Sequence, residues 1–495
     1  MSFYTPLDSI SRYIETCNKY HNEHQKRLNL NNENEELQYR LTLLKKLYFA
    51  VKDNMEEIIL CLYQDFHKSR QEVVSGEIIS LLSNILDLIK NLPQWIKNRK
   101  VHSDLPLFHN SQVEIQRIPY GTCCIIGPSN FPVLLLLDPL ACALAGGNSV
   151  ILKPSELTPK TTVTITNIIE KTFQDYDGLV KVINGGPLET MEIFNGPLVN
   201  KVFYTGSPAV GKIIMKMASE QLIPVTLELG GKSPVFITPS VNLEKLEDIV
   251  RRIYFSSFGN AGQICMAADY ILCHKDVYIK FIACCKKIYN EMFLNITYKT
   301  EYTHMISERA YDKIIKILKR TNAKEIYHLG ESNQVELFIP PTLLIDVNWE
   351  DSSMEMENFG PILPILQYEN LDDCLDNIIS KPGRSHPLAE YIFSQDKLEI
   401  QYIQNRLKSG GCCINDTLLH VLLDCAPFSG IGSSGFGSYH SEWSYNCFTH
   451  ERTVLNRPFD ADPDNSRFRC PPYSKEKSDF LEHNVLPKEW FSREE

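Results

Sequence analysis

Between Cys123 and Tyr204 short apolar runs alternate with stretches of helical period, and this alternation limits the folds open to the chain more than any other feature. Residues 123–126 are apolar, residues 131–147 repeat like a buried helix, and residues 150–152 are apolar again. Helical period returns at 161–173, then come 180–183, a helix near Thr190, and 202–204. A strand–helix repeat of this kind predicts an α/β fold with a parallel sheet covered by helices on both faces. A second series of the same type runs from about Val235 to Asn415. Upstream, Leu37, Leu41, Leu44, Leu47, Val51 and Ile58 recur at three- and four-residue steps, predicting one long amphipathic helix over 34–66 and another over 76–96. Residues 98–119 change character, with Pro106 and alternating Val113, Ile115 and Ile118, and read as an extended hairpin arm. After Arg457 the polar run Asp460, Asp462, Pro463, Asp464 and the Pro471-Pro472 pair read as surface wrapping or disorder.

At 495 residues the chain is long enough for two or three compact units that need no disulfides. Its 50 Lys and Arg against 61 Asp and Glu give a net charge of -11, no basis for a nucleic-acid surface. Fifteen cysteines are present, an odd number, without a C-x-x-C pair or a Cys/His cluster of zinc-ligand spacing. The adjacent pairs Cys123-Cys124, Cys284-Cys285 and Cys412-Cys413 read as small buried hydrophobes on extended backbone, where neighbours face opposite ways. The start has no charged and apolar leader pattern, so the expected compartment is reducing and cytoplasmic. The longest apolar run, 131–147, is interrupted by Asp138 and Pro139 and is too short for a membrane span.

Four segments carry chemistry. In Gly127-Pro-Ser-Asn-Phe-Pro132, Asn130 at a strand end can aim its amide into a cleft and donate to an oxyanion, or simply cap the next helix. In 152–159, Lys153 and Glu156 stand where open α/β sheets bind nucleotides and can hold ribose hydroxyls, or form a solvated pair on a surface turn. In 202–211, Gly206 and Gly211 let backbone approach a pyrophosphate at a helix N-terminus, although helix–strand packing explains two glycines equally well. The last is a pair, Leu227-Glu-Leu-Gly-Gly-Lys-Ser-Pro234 with Gly259-Asn-Ala-Gly-Gln-Ile-Cys-Met266. The first sets a carboxylate, Glu228, on flexible close-packed backbone. The second sets Cys265 in a tight loop where N–H groups pointing at sulfur would favour the thiolate; a lone buried cysteine is otherwise inert.

In this order the segments resemble the signatures of the aldehyde dehydrogenase superfamily, L-E-L-G-G-K-S-P and G-Q-x-C-x-x-x-x-Y. Glu357-Asn-Phe-Gly-Pro361 is similar to the family's E-I-F-G-P. Ala426-Pro-Phe-Ser-Gly430, Gly435-Phe-Gly437 with Ser438-Tyr-His440, and Phe448-Thr-His-Glu-Arg452 resemble its closing blocks. The resemblance spans about Leu37 to Pro458 and is greatest to the class 3 and fatty-aldehyde branch, particularly its fungal members. Ser129 departs from a frequent Trp, Ala268 from Pro, Ser429 from Gly and Asn358 from an apolar residue, changes that bear on pocket shape rather than on reactive groups.

The resemblance implies NAD(P)-dependent oxidation of a medium- or long-chain aliphatic, or an aromatic, aldehyde to the carboxylate. Cys265 would be the nucleophile, Asn130 and the Cys265 N–H the oxyanion donors, and Glu228 the base that activates water against the thioester. NAD is the expected cofactor, with NADP tolerated: Lys153 and Glu156 on the adenosine ribose, Gly206, Ser207 and Gly211 at the pyrophosphate, Glu357 on the nicotinamide ribose with Phe359 beside it. No metal is required. The implied parts are a Rossmann-like NAD-binding domain (1–97 and 120–227), a catalytic domain (228–415), a small β oligomerisation arm (98–119 and 416–460) and a polar tail (461–495). Relatives of this kind pair as homodimers, for which an arm with edge strands supplies a physical reason. Two rival readings are an acylating enzyme passing the thioester to coenzyme A, and a non-catalytic binding protein on the same fold. Glu228 argues against the first and the complete residue set against the second. Peripheral membrane contact through Trp490 and Phe491 stays open.

Overall fold

A computed structural model describes residues 4–28, 33–105, 108, 110–459 and 470–486. Pro106, Asp460, Asp462, Pro463, Asp464, Trp490 and Phe491 lie outside the described residues. β1 (Arg99–Val101) pairs antiparallel with β2 (Gln112–Pro119). There follow β3 (Thr122–Ile126), β4 (Ser149–Lys153), β5 (Val180–Val182), β6 (Lys201–Gly206) and β7 (Val225–Leu229), mutually parallel wherever they pair. The next series is β8 (Pro234–Ile237), β9 (Tyr270–His274), β10 (Glu325–Tyr327), β11 (Thr342–Ile345), β12 (Ile362–Tyr368), β13 (Ala389–Phe393) and β14 (Gly411–Ile414). It forms a seven-stranded sheet in the order β10-β11-β12-β9-β8-β13-β14, in which only β10 runs antiparallel. β15 (Gly435–Phe436) then returns antiparallel onto β7, completing a six-stranded sheet, and β16 (Thr449–Asn456) returns antiparallel onto β2.

The six-stranded order β15-β7-β6-β3-β4-β5 sets the position of the site. From β3 the chain winds outward through β4 and β5, then crosses back to β6 and β7 on the other side. The crevice beyond the carboxyl ends of β3 and β6 is therefore the topological switch point, where such sheets bind ligands. The register aligns Ile126 with Lys153 and with Tyr204, so the loops after β3, β4 and β6 open on one edge. Cys123, Cys124 and Ile125 are fully buried, as a central strand covered on both faces requires.

Several helices differ from the sequence pattern. The predicted helix over 34–66 is two, Glu33–Asp53 and Met55–Phe66, because Asn54 turns its amide back onto the Ala50 carbonyl (2.8 Å) and leaves helical geometry. The helix predicted from 76 begins six residues earlier: Arg70–Val73 runs through a π-turn, Val74–Ile78, into Ile79–Trp95. The apolar run at 131–147 becomes helical only from Leu134, as Leu134–Ala145. Cys284 and Cys285 lie on the helix Lys275–Phe293, not on extended backbone: Cys285 is buried and Cys284 partly exposed. All fifteen cysteines are free. The tail holds a further helix, Lys475–Asn484, capped by Ser474. Among the described residues no helix is long and apolar enough to cross a membrane.

A buried ion pair joins the π-turn to the loop after β3. Lys68 Nζ donates to Glu77 Oε1 (2.7 Å) and to the Asn130 carbonyl (3.2 Å), and lies 3.9 Å from the centre of the Phe131 ring. The other Glu77 oxygen accepts from the Val133 (2.9 Å) and Leu134 (3.2 Å) N–H groups, supplying the cap that Leu134–Ala145 otherwise lacks. Both side chains are fully buried, so removing one strands the other's charge in the core. Lys68→Met is expected to cost about 3–5 kcal/mol in denaturant unfolding. The double variant Lys68→Met/Glu77→Gln is expected to regain part of that loss. A single variant within error of the wild type would show that the pair does not support the fold.

Candidate active site

The loop carrying Cys265 begins where the helix Leu246–Phe258 ends. Asn260, Ala261 and Gly262 all take left-handed backbone (φ 51°, 53° and 70°), which for an alanine is strain sustained only by surrounding contacts. Those contacts are present. The Asn260 N–H donates to Glu72 Oε1 (2.6 Å), and the Asn260 side-chain amide donates to the carbonyls of Asn130 (3.0 Å) and Gln263 (3.1 Å). Gln263 donates to the Asn260 (3.1 Å) and His304 (3.0 Å) carbonyls and accepts from the Ile306 N–H (2.9 Å). A Cβ at Gly262 would overlap the Gly360 carbonyl oxygen, so only glycine allows this loop to meet the 357–361 segment.

Asn130 does not cap the following helix. Its side chain is buried and donates to the Gln263 carbonyl (2.9 Å), fastening the loop after β3 to the cysteine loop. An amide NH2 has two hydrogens, and one remains for a ligand.

Cys265 is half-buried, and its thiol is pushed up to about 12, first by burial, then by the carboxylates of Glu357 and Glu228. The N–H groups of Cys265 and Met266 pull the other way, as the tight loop predicted, but do not prevail, so here the group is a thiol and not the favoured thiolate. Glu228 is 3% exposed, neither carboxylate oxygen has a hydrogen-bond partner, and burial raises its pKa well above the usual carboxylate range. It stands on β7, flanked by Thr205 and Gly435, and not on the flexible backbone that the glycine pair suggested. Tyr439, closing on Phe203 and Phe428 (ring centres 5.3 and 5.7 Å), feels the charges of both Glu228 and Cys265 and walls the same space.

Glu357 folds against Gly230 and Gly231. The Gly231 N–H donates to it (3.3 Å), and a Cβ at Gly230 would collide with its carboxylate. Burial and then the nearby Asp269 push it up to about 8, against the pull of Lys313 and Lys232. Lys232 pairs with Asp269 and donates to the Ser353 (2.7 Å) and Met356 (3.0 Å) carbonyls, while Lys313 holds the Glu357 (2.8 Å) and Asn358 (2.9 Å) carbonyls. Asn358, a departure from the apolar pattern, donates from its backbone (2.8 Å) and its amide (3.2 Å) to the Asp269 carboxylate. Phe359, half-buried, sits at φ 52° beside it.

At the cofactor edge, Lys153 is 3% exposed, which excludes a solvated surface pair, and donates to Glu156 (2.9 Å) and to the Pro154 carbonyl (3.1 Å). Gly206 ends β6 at the switch point. Ser207 spends its hydroxyl on the Val210 N–H (3.4 Å) as N-cap of the helix Pro208–Ser219. At Gly211 a Cβ would press on Leu229 at 2.8 Å, so the glycine also allows close helix–strand packing. Sequence reading missed Lys68, Glu72, Glu77, Asp269 and Lys313, none of which occupies a defining position of a motif.

Comparison with known proteins follows the same pattern. A family model described as the aldehyde dehydrogenase family matches residues 26–454. A Saccharomyces cerevisiae protein named fatty aldehyde dehydrogenase is 40% identical over 99% of this chain and 92% of its own length. A Staphylococcus aureus protein named 4,4'-diaponeurosporen-aldehyde dehydrogenase is 39% identical over 88% of this chain and 93% of its own. The solved structure of a substrate-bound Staphylococcus aureus AldH superposes with a TM-score of 0.84 at 38% identity, covering 90% of this chain and 94% of that one.

A thiol held protonated by burial gains reactivity only as pH rises. Alkylation of Cys265 by iodoacetamide without cofactor, followed by mass spectrometry of its peptide, is expected to quicken steadily well above neutral pH. A rate already level in the neutral range would show that the thiolate is present in the resting protein.

Proposed function

The chain belongs to the aldehyde dehydrogenase family and oxidises an aldehyde with NAD(P), and from that premise we propose that Cys265, Asn130 and Glu228 carry the chemistry. The observation behind this reading is the convergence of three segments: Asn130 bonded to the cysteine loop, and Glu228 and Glu357 close enough to Cys265 to raise its thiol. Once the Cys265 thiol has given its proton to solvent, Sγ adds to the aldehyde carbon, and the resulting oxyanion accepts from the free Asn130 N–H and the Cys265 backbone N–H. NAD(P), when bound, supplies the hydride acceptor that converts this adduct to a thioester. Glu228 then takes a proton from water as the water attacks the thioester carbon and returns it to the departing Sγ, releasing the carboxylic acid and the Cys265 thiol. Burial raises the proton affinity of Glu228, which makes its carboxylate a stronger base.

The residues present fit a dinucleotide at the switch point. Lys153 and Glu156 are preassembled at the end of β4 for ribose hydroxyls, Gly206 and Ser207 open the turn beyond β6, and half-buried Glu357 with Phe359 stands on the nicotinamide side. The same reading assigns the six-stranded sheet to the cofactor, the seven-stranded sheet to catalysis, and the β1-β2-β16 sheet to pairing of two copies through its open edge. For the aldehyde, a long apolar chain is favoured. Leu419, Leu422, Leu423 and Ile431 remain exposed on the segment leading to Phe428 and Tyr439. The names of the two compared proteins also specify fatty and carotenoid aldehydes. In a panel of aldehydes of rising chain length, kcat/KM is expected to increase with length, and a flat or falling series would remove this assignment.

Glu228→Gln is expected to give a burst of NADH no larger than one equivalent per site and then slow turnover, since deacylation lacks its base. Steady-state rates like the wild type would take Glu228 out of the mechanism. NAD is expected to be preferred over NADP, because Glu156 faces a 2′-phosphate at a cost on the order of 1–4 kcal/mol, partly offset by Lys153. Glu156→Gln should narrow the ratio of kcat/KM for the two cofactors, and an unchanged ratio would show that Glu156 does not read the ribose.

A further inference from the structure

His67, His304 and Glu336 come from separate segments of the chain and meet near the cysteine loop, whose Gln263 bonds the His304 carbonyl. His67 ends the helix Met55–Phe66 in left-handed backbone (φ 56°), with its N–H on the Tyr63 carbonyl (2.8 Å). The His304 N–H donates to the neighbouring Phe66 carbonyl (2.8 Å), which ties the two segments together. Their imidazoles stack with centres 4.0 Å apart and planes 20° from parallel. Glu336 comes from the turn between Asn333 and Phe338, its N–H on Asn333 Oδ1 (3.1 Å). One ligand atom from each of the three lies within 4.8 Å of the others.

His304 makes this cluster more than a chance meeting of polar side chains. It is 2% exposed, and neither ring nitrogen makes a close hydrogen bond, the nearest polar groups being backbone of Glu336 and Tyr298. A buried imidazole left unsatisfied on both nitrogens needs a physical reason. Two imidazoles and one carboxylate form the donor set of borderline transition metals, with a fourth position for water, whereas magnesium and calcium select oxygen.

We propose that His67, His304 and Glu336 form a binding site for a divalent transition metal of the zinc type. The half-buried side chains of His67 and Glu336 rotate onto an ion held by the fixed His304, closing the present separation to bond lengths of about 2.0–2.2 Å. Phe338 and Tyr63, edge-on to His304 and His67 at 5.7 and 5.0 Å, give the site an apolar flank. The His304 carbonyl is the one that Gln263 grips (3.0 Å), two residues before Cys265, so an ion here would brace the loop that holds the nucleophile.

The test is titration of the chelator-treated full-length protein with cobalt(II), followed by visible absorption. The expected result is one saturable equivalent whose ligand-field bands appear without thiolate charge transfer. His67→Asn, which tolerates left-handed backbone, and Glu336→Gln should each weaken it at least about tenfold while keeping the wild-type circular dichroism spectrum. No saturable equivalent, a thiolate spectrum, or an unchanged affinity in either variant would overturn the proposal.

Discussion

The fully buried pair of Lys68 and Glu77 is the constraint on which the rest of the site rests. Glu77 caps the helix beyond β3 through two backbone N–H groups, and Lys68 holds the Asn130 carbonyl, so the loop between strand and helix has little freedom left. With its carbonyl held by Lys68 and by Asn260, Asn130 can point its amide only across the crevice, where it meets the Gln263 carbonyl. An ion pair between the turn at 67–69 and the π-turn thereby orients the Asn130 side chain. The π-turn that carries Glu77 is the local irregularity that makes this reach available, in keeping with the frequent placement of such turns at functional sites.

The cysteine loop pays for its shape with three consecutive left-handed residues, and the contacts that sustain it come from distant parts of the chain: Glu72 below, Asn130 beside, the 303–306 segment behind and Gly360 in front. Around this rigid loop burial draws Cys265, Glu228 and Glu357 toward their protonated forms, and neighbouring carboxylates add to it at Cys265 and Glu357. Such a resting state protects the thiol and keeps the base in hand until a reaction places new charge between them.

Much of this was legible in the sequence wherever a single local pattern decides the outcome. The alternation of apolar runs and helical periods located β3, β4 and β6, because a strand buried on both faces has to be apolar throughout. Close packing around the same segments shows in glycines that leave no room for a Cβ, Gly230 against Glu357 and Gly262 against the Gly360 carbonyl. What was not legible depends on partners far along the chain. Asn54 breaks a helix through its own side chain, without the proline or glycine that announces a break. The stretch around Cys284 is apolar enough for a strand, and only packing against the second sheet makes it helical. Lys68 with Glu77, and Lys232 with Asp269, are charges that a linear reading assigns to the surface, since nothing in the local sequence reveals that each meets its opposite in the core. Thiol acidity is equally hidden: the loop's N–H groups can be inferred from its glycines, but the burial that outweighs them belongs to the whole site.

The central claim is that the acyl group is carried on Cys265. Its most direct measurement is mass spectrometry of Glu228→Gln enzyme quenched in acid shortly after mixing with NAD and a long-chain aldehyde, with peptide mapping of the product. The account predicts an added acyl mass on the peptide containing Cys265, removable by hydroxylamine and absent when NAD is omitted. An unmodified Cys265 under conditions that produce NADH, or an acyl group on another of the fifteen cysteines, would contradict it.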